Sequence, residues 1–184
     1  MSDTVVFAFG RFQPPTIGHR MMFDKIKQIA KDNNSDHVIY VSKTHDRKNN
    51  PLAIEVKMEF LRKMFPDVNF VAADSVVRTP IEAAIALNKN YKNLTFVAGS
   101  DRINTLGPVF EKQNGIDYNY QSIGLISAGE RDPDSDGIDG VSGTELRNAA
   151  ISRNFKLFRR GIPGTLADND AKTLMEMIST SILS

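Results

Sequence analysis

Two hydrophobic rhythms alternate along this chain. Val5–Phe9 is an unbroken apolar run, the pattern of a strand buried on both faces. Gly10 interrupts it, and Pro14 and Pro15 delay helix because each fixes its own φ and restricts the residue before it. From Gly18 the rhythm turns helical, with Met21, Met22, Ile26, Ile29 and Ala30 at three- and four-residue steps. After the polar cluster Asp32–Asp36, His37–Val41 predicts a second strand. Residues 53–65 predict a helix with Ile54, Met58, Leu61, Met64 and Phe65 as its apolar stripe, and Glu55, Lys57 and Glu59 off it. Val68–Ala73, Leu94–Ala98 and Tyr120–Ser127 predict three more strands, separated by helices over Pro80–Leu87 and 102–113. Ser100 or Asp101 reads as the N-cap of the second of these, and Asn114-Gly115 as its stop. Val141–Arg147 opens another helix, Phe155–Pro163 is amphipathic and turn-terminated, and residues 168–183 predict a last helix striped by Leu174, Met177, Ile178 and Ile182. Strands alternating with helices indicate an α/β fold, a parallel sheet wound on both faces with right-handed crossovers.

Composition narrows the class. A length of 184 residues fits a single domain, 1–184, with a core over about 4–152 and a helical extension over about 153–184. Net charge is +1, so no broad nucleic-acid surface is expected, and anion binding must come from locally placed cations and helix ends. The absence of cysteine excludes disulfides, thiolate metal sites and thiol nucleophiles. No signal-peptide pattern or long apolar span is visible, which leads us to expect a cytoplasmic protein without a membrane partner.

The turns carry the chemistry. Gly10–His19 is a strand, a glycine turn and a helix start, a geometry that offers backbone N–H groups and a positive dipole end to an anion. Arg11, Thr16 and His19 add a guanidinium, a hydroxyl and an imidazole, although a capping or packing role for His19 accounts for the same spacing. Ser142 and Glu145 have capping-box spacing, while Thr144 and Arg147, three apart, share a face at the start of their helix. The loop 42–51 holds Lys43, His45, Arg47 and Lys48 beyond a strand end, and reads equally as a ligand loop or a solvated basic loop. Gly99-Ser100-Asp101-Arg102 is a second turn at the same sheet edge. Asp132, Asp134, Asp136 and Asp139 superficially suggest a calcium loop, but the terminal bidentate glutamate is missing, and 128–140 reads as a mobile polar loop. No residues are assigned to a metal.

Gly10-Arg11-Phe12-Gln13-Pro14-Pro15-Thr16-Ile17-Gly18-His19, joined to Ser142-Gly143-Thr144-Glu145-Leu146-Arg147, resembles the nucleotidylyltransferase superfamily, with its (H/T)-x-G-H and I-S-S-T-x-x-R-like motifs. The Gly-Arg-Phe-Gln-Pro opening is most similar to the nicotinamide mononucleotide adenylyltransferase branch, and the whole chain resembles cytidylyltransferase-like proteins, including bacteriophage-encoded ones. That resemblance implies a Rossmann-like doubly wound parallel sheet of about five strands and transfer of NMP from ATP or CTP, with Mg²⁺, to a phosphorylated small-molecule acceptor. Pyrophosphate would leave, and adenylyl transfer to nicotinamide mononucleotide is the leading expectation. A CTP-dependent enzyme and a non-catalytic nucleotide-binding protein are the alternatives, and self-association stays open. If phage-encoded, the protein would act in the host cytoplasm.

The resemblance also assigns roles. His19, Thr16 and Arg147 form the implied catalytic set, with His19 on the α-phosphate and Thr16 where many relatives have a first histidine. Gly10, Arg11, Phe12, Gly18, Gly99, Asp101, Ser142 and Thr144 fall on the nucleotide side, and Lys43 and Arg47 on the acceptor phosphate. Gly143 belongs to the same nucleotide set but replaces the second motif's second serine, removing one hydroxyl from the triphosphate contact.

Overall fold

The computed structural model describes residues 2–129 and 141–184. In chain order the elements are β1 (Thr4–Gly10), α1 (Ile17–Asp32), β2 (Asp36–Val41), α2 (Ile54–Met64), β3 (Phe70–Ala72), α3 (Pro80–Leu87), β4 (Asn93–Ala98), α4 (Ser100–Gln113), β5 (Ser122–Ser127), α5 (Gly143–Ile151), α6 (Phe155–Arg160) and α7 (Asp168–Leu183). The strands form one parallel sheet in the order β3-β2-β1-β4-β5. The chain works outward from β1 to β3, then returns to place β4 on the other side of β1. Strand order reverses there, so the crevice beyond the C-terminal ends of β1 and β4 is where such sheets bind ligands.

The apolar run of β1 is explained by its central place. Val6 and Ala8 enter one core, with Phe23, Ile26, Leu61, Leu146, Phe158, Leu174 and Ile178 from the helices on that face. Val5, Phe7 and Phe9 enter the other, with Phe96, Phe110, Ala83 and Leu87. The Phe7 ring sits 5.0 Å from Phe96 and 6.0 Å from Phe110, centroid to centroid. Each such buried side chain contributes about 1.5–3 kcal/mol relative to exposure, and two cores flanking one strand fix the height of its C-terminal end, Gly10.

Several boundaries differ from the pattern. β3 is confined to Phe70–Ala72 because the Val68 amide donates to Phe65 O and closes the turn after α2. α4 is capped at Gly99, and neither Ser100 nor Asp101 is an N-cap; the Ser100 amide and hydroxyl both donate to Gly129 O, at 3.0 and 2.8 Å. In α7, Leu174 and Ile178 are buried, but Met177 lies a helical step away and is exposed. The aspartates of the calcium-like stretch lie outside the described residues. Among the described residues, no helix is long and apolar enough to cross a membrane.

Candidate functional site

At the end of β1 the chain makes a tight reversal. Phe12 adopts φ +52° and its ring folds back over Gly10, where a Cβ would lie 2.5 Å from Phe12 Cζ. Only glycine leaves room for that approach. The Phe12 ring is fully buried and meets the His19 ring edge-on at 4.9 Å. Phe12, expected on the nucleotide side, backs the histidine ring in this structure.

Thr16 caps α1. Its hydroxyl accepts from the Gly18 amide at 3.1 Å, and its amide donates to His19 Nδ1 at 2.9 Å. His19 thus takes the place of the glutamate in a capping box. Because Nδ1 accepts that bond, the ring's N–H is Nε2. His19 therefore does cap, as the plainer reading allowed, and capping is what orients its other nitrogen. The expectation of open amides at α1 is overturned. Ile17 N–H donates to Gly161 O at 2.9 Å, Gly18 N–H to the Thr16 hydroxyl, and His19 N–H to Thr16 O at 3.1 Å. A long-range acceptor in the turn after α6 closes this helix end.

α5 is arranged differently. Ser142 caps it, accepting from Glu145 N at 3.2 Å, while Ser142 N donates to the Glu145 carboxylate at 2.7 Å. Gly143 is half-buried and Thr144 exposed, and among the described residues their amides take no intramolecular acceptor. The Arg147 fork is aimed over this end: Nη2 donates to Thr144 Oγ1 at 3.0 Å and Nη1 to Gln13 O at 2.7 Å. The i, i+3 pairing read from the sequence is present, and Arg147 draws the second motif onto the first. A Cβ at Gly143 would stand 3.1 Å from Gln13 O and 3.2 Å from Arg147 Nη1, so the missing hydroxyl coincides with close packing of the two motifs.

Two supporting residues were not legible. Gln13 is buried; its amide nitrogen donates to Leu52 O at 2.9 Å and Thr44 O at 3.2 Å, and its amide oxygen accepts from Leu52 N at 2.9 Å. Lys57, placed off the α2 stripe by periodicity, is fully buried, and its ammonium donates to Arg11 O at 2.8 Å and to Ser42 O. The signal available was a lysine one position from a core methionine; the acceptors come from two other segments. Arg102 of the Gly-Ser-Asp-Arg turn donates to Phe9 O at 3.0 Å, tying the start of α4 to β1. Gly99 is buried at the end of β4, and Asp101 is exposed on the first turn of α4.

The basic loop follows β2. Lys43 is exposed, and its field helps lower the Asp74 carboxyl, whose main cause is hydrogen bonding from the Val77 and Val76 amides. Arg47 donates to Ser184 O at 3.2 Å. The loop is shaped by Asp46, held down to about 2 by the Asn50 side chain and then by the Asn49 amide. Among the described residues there is no cluster of three His, Asp or Glu able to hold a metal. The donors gathered here are hydroxyl, amide, imidazole and guanidinium, which suit an anion and do not suit a hard divalent cation.

A family model described as cytidylyltransferase-like matches residues 7–149. No curated protein sequence matches the chain. Among solved structures, a bifunctional NMN adenylyltransferase/ADP ribose pyrophosphatase from Francisella tularensis, complexed with AMP and a manganese ion, superposes with a TM-score of 0.56 at 15% identity, over 100% of this chain and 52% of that one. TmcAL from Thermotoga maritima, bound with α-thio ATP, superposes with a TM-score of 0.56 at 10% identity, over 100% of this chain and 56% of that one. The chain thus spans about half the length of either, and at these identities the likeness is one of fold.

Proposed function

The chain belongs to the cytidylyltransferase-like family, and from that premise we propose that it is a nucleotidyltransferase, moving NMP from an NTP to a phosphorylated small molecule with release of pyrophosphate. The observation that carries this reading is the join between the two motifs: Arg147 Nη1 on Gln13 O at 2.7 Å brings the start of α5 against the turn bearing His19. The Gly143 and Thr144 amides, the Thr144 hydroxyl and the Arg147 fork take the β- and γ-phosphates. His19 Nε2–H donates to the α-phosphate as charge builds there, and Thr16 holds the ring in that tautomer. The acceptor's phosphate attacks the α-phosphorus in line; the P–O bond to pyrophosphate breaks as the new one forms, with no covalent enzyme intermediate. Positioning and charge neutralisation suffice for such a transfer. A divalent ion enters with the nucleotide as part of the substrate, on phosphate oxygens and water. The chain acts as one domain over 1–184.

Adenylyl transfer to nicotinamide mononucleotide is the leading form, supported by the Gly-Arg-Phe-Gln-Pro opening and by the adenine nucleotides in the two structural relatives. The family's description favours CTP as the second form. The test is pyrophosphate release with Mg²⁺, crossing ATP and CTP against nicotinamide mononucleotide, phosphopantetheine and glycerol-3-phosphate, with His19→Ala beside each. Release with one pair, suppressed in the variant, is the expected result. Undiminished release in His19→Ala would overturn the mechanism. Silence across every pair, despite nucleotide binding, would favour the binding-only alternative.

A further inference from the structure

Three segments meet at one residue of the β1–α1 turn. The Gln13 side chain holds Leu52 by both its main-chain groups and reaches Thr44 O, all in the β2–α2 loop. The same residue's carbonyl, 2.7 Å from Arg147 Nη1, anchors the guanidinium at the start of α5. A Cβ at position 143 would meet that carbonyl at 3.1 Å, so the α5 backbone packs directly on it. The Lys57 ammonium joins Arg11 O and Ser42 O alongside, so the turn and the loop are tied on two sides by buried donors. Such bonds resist being left unmade, since each buried partner stranded without its mate costs about 1–3 kcal/mol. The loop and Arg147 therefore cannot shift independently: moving Leu52 drags the Gln13 peptide, and the Gln13 carbonyl steers the guanidinium.

We propose that Gln13 is a positioning residue that couples the β2–α2 loop to Arg147, so that the loop's placement sets the grip on the nucleotide's phosphates, and phosphate binding in turn orders the loop. The second half of this statement rests on the nucleotidyltransferase reading. The first half stands on the ligand-free protein, and the experiment separates them.

Amide hydrogen exchange of the full chain reports the link, because the Leu52 N–H donates to Gln13 Oε1. In the ligand-free protein, Arg147→Gln speeds Leu52 exchange about tenfold, a factor typical of coupled sites, while the Leu61 amide inside α2 keeps its wild-type rate and shows the fold intact. Gln13→Ala speeds Leu52 exchange as well, and adding Arg147→Gln to it produces no further change, the non-additivity expected of one pathway. If Gln13→Ala does not fold, the Arg147→Gln measurement decides alone. A wild-type Leu52 rate in Arg147→Gln, or additive effects in the double variant, overturns the coupling. MgATP or MgCTP added to the wild type then slows Leu52 exchange. If neither nucleotide binds while the ligand-free coupling is present, the nucleotidyltransferase reading fails and the structural link stands; binding without slowing overturns the phosphate half.

Discussion

The starts of α1 and α5 lie side by side, share a capping box, and reach opposite ends. In α1 the box is Thr16 and His19, and all of the first three amides find acceptors within the protein, the outermost on Gly161 O. In α5 the box is Ser142 and Glu145, and among the described residues the Gly143 and Thr144 amides take no acceptor beside the Arg147 fork. A capping box by itself therefore says nothing about anion binding. What matters is the residue in its third helical position and what else reaches the helix end. Histidine there turns the box into a mount for a side-chain donor, while glutamate leaves the backbone as the donor. One helix start carries an imidazole and the other exposes main chain, and under the proposed nucleotidyl transfer the two would grip different parts of one polyphosphate.

The sharpest way to break that comparison is His19→Ala. If α1 works through its imidazole, kcat at saturating substrate falls about 10²–10³-fold, the cost of losing one transition-state donor, as read by pyrophosphate release. A kcat within a fewfold of wild type would leave α1 a purely structural helix. On the α5 side, Arg147→Lys keeps the charge and loses the fork, and about a tenfold loss in kcat/KM for the nucleotide is expected. An unchanged value would mean that open amides alone hold the phosphates.

Stability distinguishes the two caps next. Thr16→Val and Ser142→Ala each remove a capping hydroxyl, at a cost of about 1–2 kcal/mol. Thr16, which is fully buried, should give the larger drop in urea midpoint. Reversal of that order would show that α1 draws its stability from Gly161 rather than from its own box. The smallest effect lies beside both helices, in the loop they are coupled to. The Asn50 side chain holds the Asp46 carboxyl down to about 2, so its contribution is complete above the ordinary carboxylate range and is lost as pH falls through that range towards 2. Asp46→Asn should abolish this acid-side dependence, checked by following the loop's NMR signals between neutral pH and pH 2.

Much of this arrangement was legible, for identifiable reasons. The central strand announced itself because β1 is buried on both faces and so cannot alternate. Thr144 and Arg147 could be paired because helical geometry fixes neighbours three apart. What escaped was set by partners distant in sequence. Nothing near Ile17 tells that Gly161 O will accept its amide. Nothing in α2 tells that Lys57 will be buried, because the carbonyls that make its burial tolerable belong to Arg11 and Ser42. Periodicity sends a charged residue to solvent, and only tertiary acceptors bring it back. Lys43 and Arg47 show the same limit: their loop reads equally as a ligand loop or a solvated basic loop, and the interactions seen for them, with Asp74 and Ser184, are again set by residues distant in sequence.

The bond from Ile17 to Gly161 bears on how this fold can be cut and joined. The family match ends at residue 149, yet the carbonyl that closes the first helix lies beyond it. Gly161 also admits no side chain, since a Cβ there would collide with Leu146 and Val141 at 2.6 and 2.8 Å. A chimera assembled at the homology boundary would join the two signature motifs correctly and still leave α1 with an orphaned amide at its tip. The transplantable unit runs through the turn after α6, and recombination designs that respect the hydrogen bond rather than the alignment should keep the histidine in place.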